Sequence, residues 1–464
     1  MKIVIVIDRL SAFREIVRSR VLPELVRNGG TEVVLVTSPA YRLEDGDLPD
    51  SSRLRHRTVS LQPQSRMGYT LDKLHHTISR DLLCTSHPEC SLAQIRRSLL
   101  EHRGRDPQRR MGYASQLQSW GLRSRHLAHL AEFWGSYPDL DAVWEEEKPD
   151  LIVYSNMMMG QMDCLRSARR RGIPLLLDIP TWDQPSSKGP MTIRPDHVIA
   201  WSEEMKAELI RYHDIAEDAI HLPGILYFDS YFDPPEIPSR EDFCRERGLD
   251  PAKKIITYSL SRVESAPCAL KFIDLLLDLV NGGALGHPCQ LVVRASPLDN
   301  VNLIQDLATR PGIHLQFPSG QVNAAGNDWR PAPHEDRDRI AAITHSDVML
   351  MIQSTMILDT ALVDRPIVNL AYDAGLEVEG WESVKRIFHF NHAQSYQEIG
   401  ATWMVRSHED LKAALRTYLD EPELHRAERR QLIDSITPYQ DGKTYKRWAR
   451  TVADIARTGR SGSL

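Results

Sequence analysis

Residues 2–7 are Lys2 followed by an unbroken run of isoleucine and valine, the pattern of a strand buried on both faces of a sheet. Residues 11–28 carry apolar positions at helical spacing, with Ser11 placed to cap the start and Asn28-Gly29-Gly30 to end it. Val33-Val34-Leu35-Val36 reads as the next strand, so the chain opens β-α-β and predicts a parallel sheet. Between about 41 and 147 the pattern weakens. Residues 41–55 and 101–112 are polar and read as loops, and 69–83 and 114–135 as helices. Strand character returns at 150–154, followed by a helix at 160–171 and strands at 174–178, 197–201 and 219–224. Ser202 stands where it can cap a helix whose first turn holds Glu203 and Glu204, which suit the helix dipole.

The alternation stops at Asp233-Pro234-Pro235-Glu236-Ile237-Pro238-Ser239, a proline-rich stretch without period that reads as a linker. It then restarts. Strands are expected at 254–258, 290–294, 312–317, 347–351 and 366–370. Helices are expected at 266–280, 300–309, 334–344, 355–363, 408–419, 423–435 and 443–458. The expected architecture is α/β: two Rossmann-like domains facing each other across a cleft. Residues 1–230 would form the first and 241–440 the second, and a C-terminal helix in 441–464 would return towards the first.

Composition narrows the function classes. With 42% hydrophobic and 26% charged residues the chain can fill a core in each half, which excludes general disorder. A net charge of -6 argues against a nucleic-acid binder. The arginines of 102–105 and 109–110 are either a solvated loop or a patch for an anionic acceptor or an anionic membrane surface. Six scattered cysteines without a CxxC pair read as reduced thiols. Cys84, His87 and Cys90 form the one metal-like cluster, and it lacks a second ligand pair at zinc spacing. No run approaches the ~20 apolar residues of a membrane span. The expectation is a cytoplasmic protein, with peripheral contact at the inner face of the cell membrane left open.

Open α/β sheets bind ligands beyond the carboxyl ends of their strands, so the residues after each strand carry the candidate chemistry. After 347–351 come Gln353-Ser354-Thr355 and a helix start, whose N–H groups and hydroxyls suit a diphosphate, or which simply cap the helix. Asp359, a turn later, suits ribose hydroxyls. Arg294 leaves strand 290–294 and can clamp a phosphate or form a salt bridge. Ser259 and Ser261 end strand 254–258. In the first half, 174–178 runs into Thr181-Trp182-Asp183-Gln184-Pro185-Ser186-Ser187-Lys188-Gly189. There Trp182 can stack on a sugar, Asp183 can act as a base or brace the loop, and Lys188 can meet an anion. Asp8 and Arg9 follow the first strand, and Ser155-Asn156 follow strand 150–154; these suit an acceptor, or a local ion pair. There is no GxGxxG, GxxxxGK[ST] or HExxH.

The 181–189 loop, the segment Pro195-Asp196-His197-Val198-Ile199-Ala200-Trp201-Ser202-Glu203-Glu204-Met205, and Ser354-Thr355 ahead of Arg365-Pro366-Ile367-Val368-Asn369 together resemble bacterial GT-B-fold glycosyltransferases of surface-polysaccharide synthesis. They are also similar to CDP-glycerol glycerophosphotransferase-like proteins and, more distantly, to UDP-N-acetylglucosamine 2-epimerases. Tyr439-Gln440-Asp441-Gly442-Lys443-Thr444 resembles the segment before the last helix in such proteins. The resemblance implies donor-nucleotide binding in the second domain and acceptor binding in the first, with Arg294, Ser354 and Thr355 at donor-phosphate positions. Ser296 stands where many relatives have histidine, and Asp359 where they have glutamate.

The resulting expectation is a glycosyltransferase that uses a nucleotide-sugar donor and a saccharide or anionic polymer acceptor, with no metal, no other cofactor and no nucleic acid. Asp183 would be the catalytic base. Arg294, Ser259, Ser261, Ser354, Thr355 and Asp359 would hold the donor. Asp8, Arg9, Asn156, Trp182 and Lys188 would hold the acceptor. A nucleotide-sugar epimerase or hydrolase, and a non-catalytic nucleotide-sugar binding protein, are the alternatives.

Overall fold

A computed structural model describes residues 1–464 except 10–11, 28–29, 40–42, 44–45, 62–65, 132–136, 264–265, 297–305, 323–328 and 459–464. The chain divides into two compact units, Met1–Asp229 with Ile436–Leu464, and Ser230–Ser435.

The first unit is built on seven strands: β1 (Lys2–Ile7), β2 (Glu32–Thr37), β3 (Leu54–Thr58), β4 (Leu151–Tyr154), β5 (Leu175–Asp178), β6 (His197–Ile199) and β7 (Ile220–His221). They lie in the order β3-β2-β1-β4-β5-β6-β7, and every pairing is parallel. Register is set by burial: Ile5 sits between Leu35 and Val153, and all three side chains are inaccessible to solvent. One face of this sheet packs against Phe13, Leu22 and Leu25 and against Trp448, Val452 and Ile455 of the C-terminal helix Thr444–Thr458.

Three differences from the sequence reading have physical causes. The helix expected over 11–28 is broken into a π-helical turn, Phe13–Val17, and α1, Val21–Arg27. Pro23 falls in the first turn of α1, where a missing N–H costs nothing and where a continuous helix would have lost a hydrogen bond. Ser11, Asn28 and Gly29, expected as caps, lie outside the described residues. The expected loop 41–55 runs into β3, whose polar sequence, Leu-Arg-His-Arg-Thr, gives no strand signal; it is an edge strand that is partly exposed. The insert holds more helix than expected: α2 (Arg66–Ser86), α3 (Ser91–His102), α4 (Pro107–Ser119), α5 (Ser124–Ala131) and α6 (Pro138–Glu147). The insert is fastened to the sheet unit by fully buried Arg166, which is ion-paired with Asp72 of α2 and with Asp163. Ser202 does cap α7 (Glu203–His213), its hydroxyl accepting from the Met205 N–H at 3.1 Å.

The second unit holds β8 (Lys254–Ser259), β9 (Cys289–Arg294), β10 (Ile313–Gln316), β13 (Val348–Met351), β14 (Ile367–Leu370) and β15 (Trp403–Val405), ordered β10-β9-β8-β13-β14-β15 and all parallel. Strands β11 (Gly320–Val322) and β12 (Trp329–Pro331) form a separate antiparallel pair. Phe272, Ile273 and Leu276 of the helix Ala269–Asn281, with Leu411, Leu415 and Tyr418 of the helix His408–Asp420, pack in its core. The expected helix at 300–309 falls largely outside the described residues. Strand β15 and the helix Asn391–Ile399 were not anticipated.

Candidate functional site

Both sheets grow in two directions from an inner strand. In the first unit the order reverses between β1 and β4, and in the second between β8 and β13. Such switch points leave a crevice beyond the carboxyl ends of the strands, where open α/β sheets hold ligands.

In the first unit the two residues immediately past this point interact. Asp8 follows β1, and Asn156 follows β4 by two residues. Asn156 Nδ2 donates to Asp8 Oδ2 at 2.9 Å, and the Tyr154 hydroxyl at the end of β4 lies 2.5 Å from the same oxygen. That hydroxyl is also 2.9 Å from the Gln161 carbonyl. When Asp8 is ionised the tyrosine can donate to it. When Asp8 is protonated, it can donate to the phenolic oxygen while the tyrosine donates to Gln161. Burial raises the Asp8 pKa above the ordinary carboxylate value, against the opposing influence of the Tyr154 and Asn156 hydrogen bonds and the Arg9 charge. Burial and the Asp8 charge also push the Tyr154 phenol far up, so it stays a donor. Asn156 is fully buried, and its Oδ1 accepts from Met158 N–H at 2.9 Å. Arg9 reaches the Met158 sulfur. The π-helical turn after β1 widens the backbone here, a distortion frequent at functional sites.

The 181–189 loop folds onto the segment after β4. Gln184 Oε1 accepts from Met157 N–H at 3.3 Å, and Lys188 O from Met159 N–H at 3.3 Å. Gly189 has φ +110° and a Cβ there would meet Met159 Cβ at 3.0 Å, so close approach and backbone conformation both call for glycine. Asp183 is surrounded by donors. Its Oδ1 accepts from Thr181 Oγ1 at 2.7 Å, and its Oδ2 from Ser187 Oγ at 2.9 Å and from Lys188 Nζ at 2.9 Å. This is the bracing alternative, made by side chains of the loop itself. Trp182 is 6% exposed, which presents little ring surface for stacking. Behind the loop, buried Glu208 of α7 has its pKa pushed up to about 8 by burial, and His213 Nε2 lies 2.7 Å from the Pro185 carbonyl.

In the second unit, Ser259 ends β8 and Ser261 lies two residues beyond it, and Ser354 and Thr355 follow β13, on the two sides of the switch point. All four are partly exposed. Ser354 Oγ accepts from Met356 N–H at 3.2 Å, at the start of the helix Met356–Leu362. Arg294 is 7% exposed, and its Nη2 donates to Glu335 Oε1 at 2.8 Å. Asp359 is 1% exposed, accepts from the Tyr231 hydroxyl, and lies 3.4 Å from Arg339 Nε. These two groups of the donor set therefore have protein partners. The sequence reading overlooked Tyr154, Glu208, Glu335 and Tyr231. Only Tyr154 carried a legible signal, as a tyrosine at the mouth of a buried strand.

Cys84 and Cys90 are buried with Leu83, Leu92 and Tyr212, and burial raises both thiols. Among the described residues, no group of three or more histidine, cysteine, aspartate or glutamate side chains is placed to hold a metal ion, and no helix is long and apolar enough to cross a membrane.

No known family model and no curated protein matches the sequence. Solved structures do match its fold. UDP-GlcNAc 2-epimerase from Neisseria meningitidis, bound to UDP-GlcNAc, aligns with a TM-score of 0.53 and 13% identity over 98% of this chain and 100% of that one. UDP-GlcNAc 2-epimerase from Methanocaldococcus jannaschii gives 0.53 and 12% over 98% and 100%. A glycosyltransferase from Rickettsia africae gives 0.53 and 11% over 100% and 99%. At these identities the likeness is one of fold, and it is the expected fold: two Rossmann-like α/β units of the GT-B type.

Proposed function

We propose that the protein is a glycosyltransferase that moves a sugar from a nucleotide-sugar donor to a saccharide or other surface-polymer acceptor, and that it needs no metal to do so. The observation that carries this reading is the Asp8–Tyr154–Asn156 group at the β1/β4 switch point. A carboxylate with a raised pKa, held by two donors and only partly exposed, suits removal of a proton from an acceptor hydroxyl. The hydroxyl oxygen then attacks the anomeric carbon, and the nucleoside diphosphate leaves with the bonding electron pair. Asp8 takes the base role in this proposal, Asn156, fully buried, orients it, and Asp183 holds the loop that frames the acceptor, with Arg9 and Lys188 as polar contacts. On the donor side, Ser259, Ser261, Ser354 and Thr355 are the groups with access to a nucleotide diphosphate. Arg294 and Asp359 are buried, the first paired with Glu335 and the second with Arg339.

A second reading has its own support: several proteins of this fold are UDP-GlcNAc 2-epimerases, one of them bound to UDP-GlcNAc. An epimerase or hydrolase consumes donor with no acceptor present, and a non-catalytic binder consumes none. The experiment is a thermal-shift screen of nucleotide sugars, in which a ligand at 100 times its Kd stabilises by ~2.7 kcal/mol. Product analysis with and without a saccharide acceptor follows. Acceptor-dependent release of nucleoside diphosphate supports transfer. Acceptor-independent formation of an epimeric sugar nucleotide refutes it.

A further inference from the structure

Away from the β1/β4 switch point, the first unit has a small open cleft between the ends of insert helices and of α7. The segment 190–194, which leads into the amino end of β6, forms one wall, and residues 212–215, which close α7, form another. None of Asp8, Tyr154 and Asn156 belongs to its lining, and His213 of its wall meets the Pro185 carbonyl on the back of the 181–189 loop.

Its charge is one-sided. Arg123, Arg125 and Arg194 face it, with Asp214 the single carboxylate in its lining, leaving two net positive charges before His87 is counted. Arg125 Nη1 pairs with Asp214 Oδ1 at 2.9 Å. The other two arginines make contacts of a different kind: Arg123 Nη1 donates to the Gln118 carbonyl at 3.4 Å, and Arg194 Nη2 to the Asp214 carbonyl. A carbonyl orients a guanidinium without neutralising it, and each guanidinium has five N–H donors. Ser86 and Ser124 add hydroxyls, and Met191 with its apolar neighbours lines the floor. Planar guanidinium forks recognise phosphate in two-point fashion, and a phosphate group carries a charge of roughly −1.5 to −2, which matches the excess here.

We propose that this cleft is a binding site for a small phosphorylated molecule, its phosphate held by Arg123, Arg125 and Arg194, and that it is separate from the Asp8 site. The proposal does not depend on which sugar chemistry the protein performs.

The test is calorimetric titration of the full-length protein with inorganic pyrophosphate and, separately, inorganic phosphate, at fixed ionic strength. Three proteins are compared: wild type, Arg123→Gln/Arg194→Gln and Arg123→Lys/Arg194→Lys. The glutamine pair should weaken a saturable binding event about tenfold or more, the usual loss when charge-assisted hydrogen bonds are removed. The lysine pair keeps the charge but loses the forks, so it should also bind more weakly. The melting temperature without ligand reports folding, and the lysine pair serves if the glutamine pair does not fold. The proposal is overturned if the wild type shows no saturable binding or if the glutamine pair binds as the wild type does. Equal binding by the lysine pair and the wild type likewise overturns it, because a diffuse positive field would give that result.

Discussion

Asp8→Asn is the variant that puts the proposed base under the most direct load. The substitution keeps the shape of the side chain. The new amide oxygen can still accept from the Tyr154 hydroxyl and from Asn156 Nδ2, the two donors that meet Asp8 Oδ2 in the native protein at 2.5 and 2.9 Å. What disappears is the negative charge and the ability to take a proton. General base catalysis contributes ~10²–10⁴ in rate, so kcat should fall by that factor, equivalent to roughly 3–5 kcal/mol of transition-state stabilisation. Donor Kd should stay near its native value. Stability should not fall. The native protein holds the Asp8 proton more tightly than the unfolded chain does, so ionising Asp8 opposes folding, and its contribution to stability declines as pH rises from the ordinary carboxylate range through the raised native pKa. Removing the ionisation should leave the melting temperature at neutral pH equal or higher. The assay is steady-state release of nucleoside diphosphate with donor and acceptor both saturating, run beside differential scanning calorimetry. Near-normal kcat in the folded variant would refute the base assignment. A loss of turnover that tracks a loss of stability would point to a structural role instead.

Four further outcomes are expected. Tyr154→Phe removes a bond that favours ionised Asp8, so the acid limb of the kcat–pH profile should move to higher pH; an unmoved limb would disconnect Tyr154 from the reacting group. Asp183→Asn should loosen the 181–189 loop and lower the melting temperature, with turnover at low temperature near wild type. A fall in kcat of ~10² with stability intact would restore Asp183 as the base. Arg294→Ala should cost ~3–5 kcal/mol of stability by leaving Glu335 buried without its partner, and a second change, Glu335→Ala, should recover part of it. A rise in donor Kd with stability unchanged would place Arg294 on the nucleotide instead. The pKa of Glu208 is raised from 4.5 to about 8, so its contribution to stability is full at low pH and is lost between those values; Glu208→Gln should flatten that slope in urea titrations across pH, and an unchanged slope would contradict it.

The alternation of β-branched runs with helical spacing makes the two α/β units legible in the sequence, because a strand buried on both faces needs a continuous apolar sequence and advertises it. The residues just past each strand include Asp8 and Asn156, and the parallel direction of β1 and β4 is enough to put both at one edge of the sheet. Sequence could not show which of them meet. Asp8 is 146 residues from Tyr154 and 148 from Asn156, and Arg294 is 41 from Glu335. Those pairings follow from strand order and helix packing, which no local pattern encodes. The same holds for burial. Trp182, Arg294 and Asp359 read as ligand contacts because polar and aromatic groups at strand ends often are, and the packed structure gave them protein neighbours. β3 went unread for the opposite reason. An edge strand with one exposed face needs little hydrophobicity, so its sequence is indistinguishable from a loop until β2 offers it a partner.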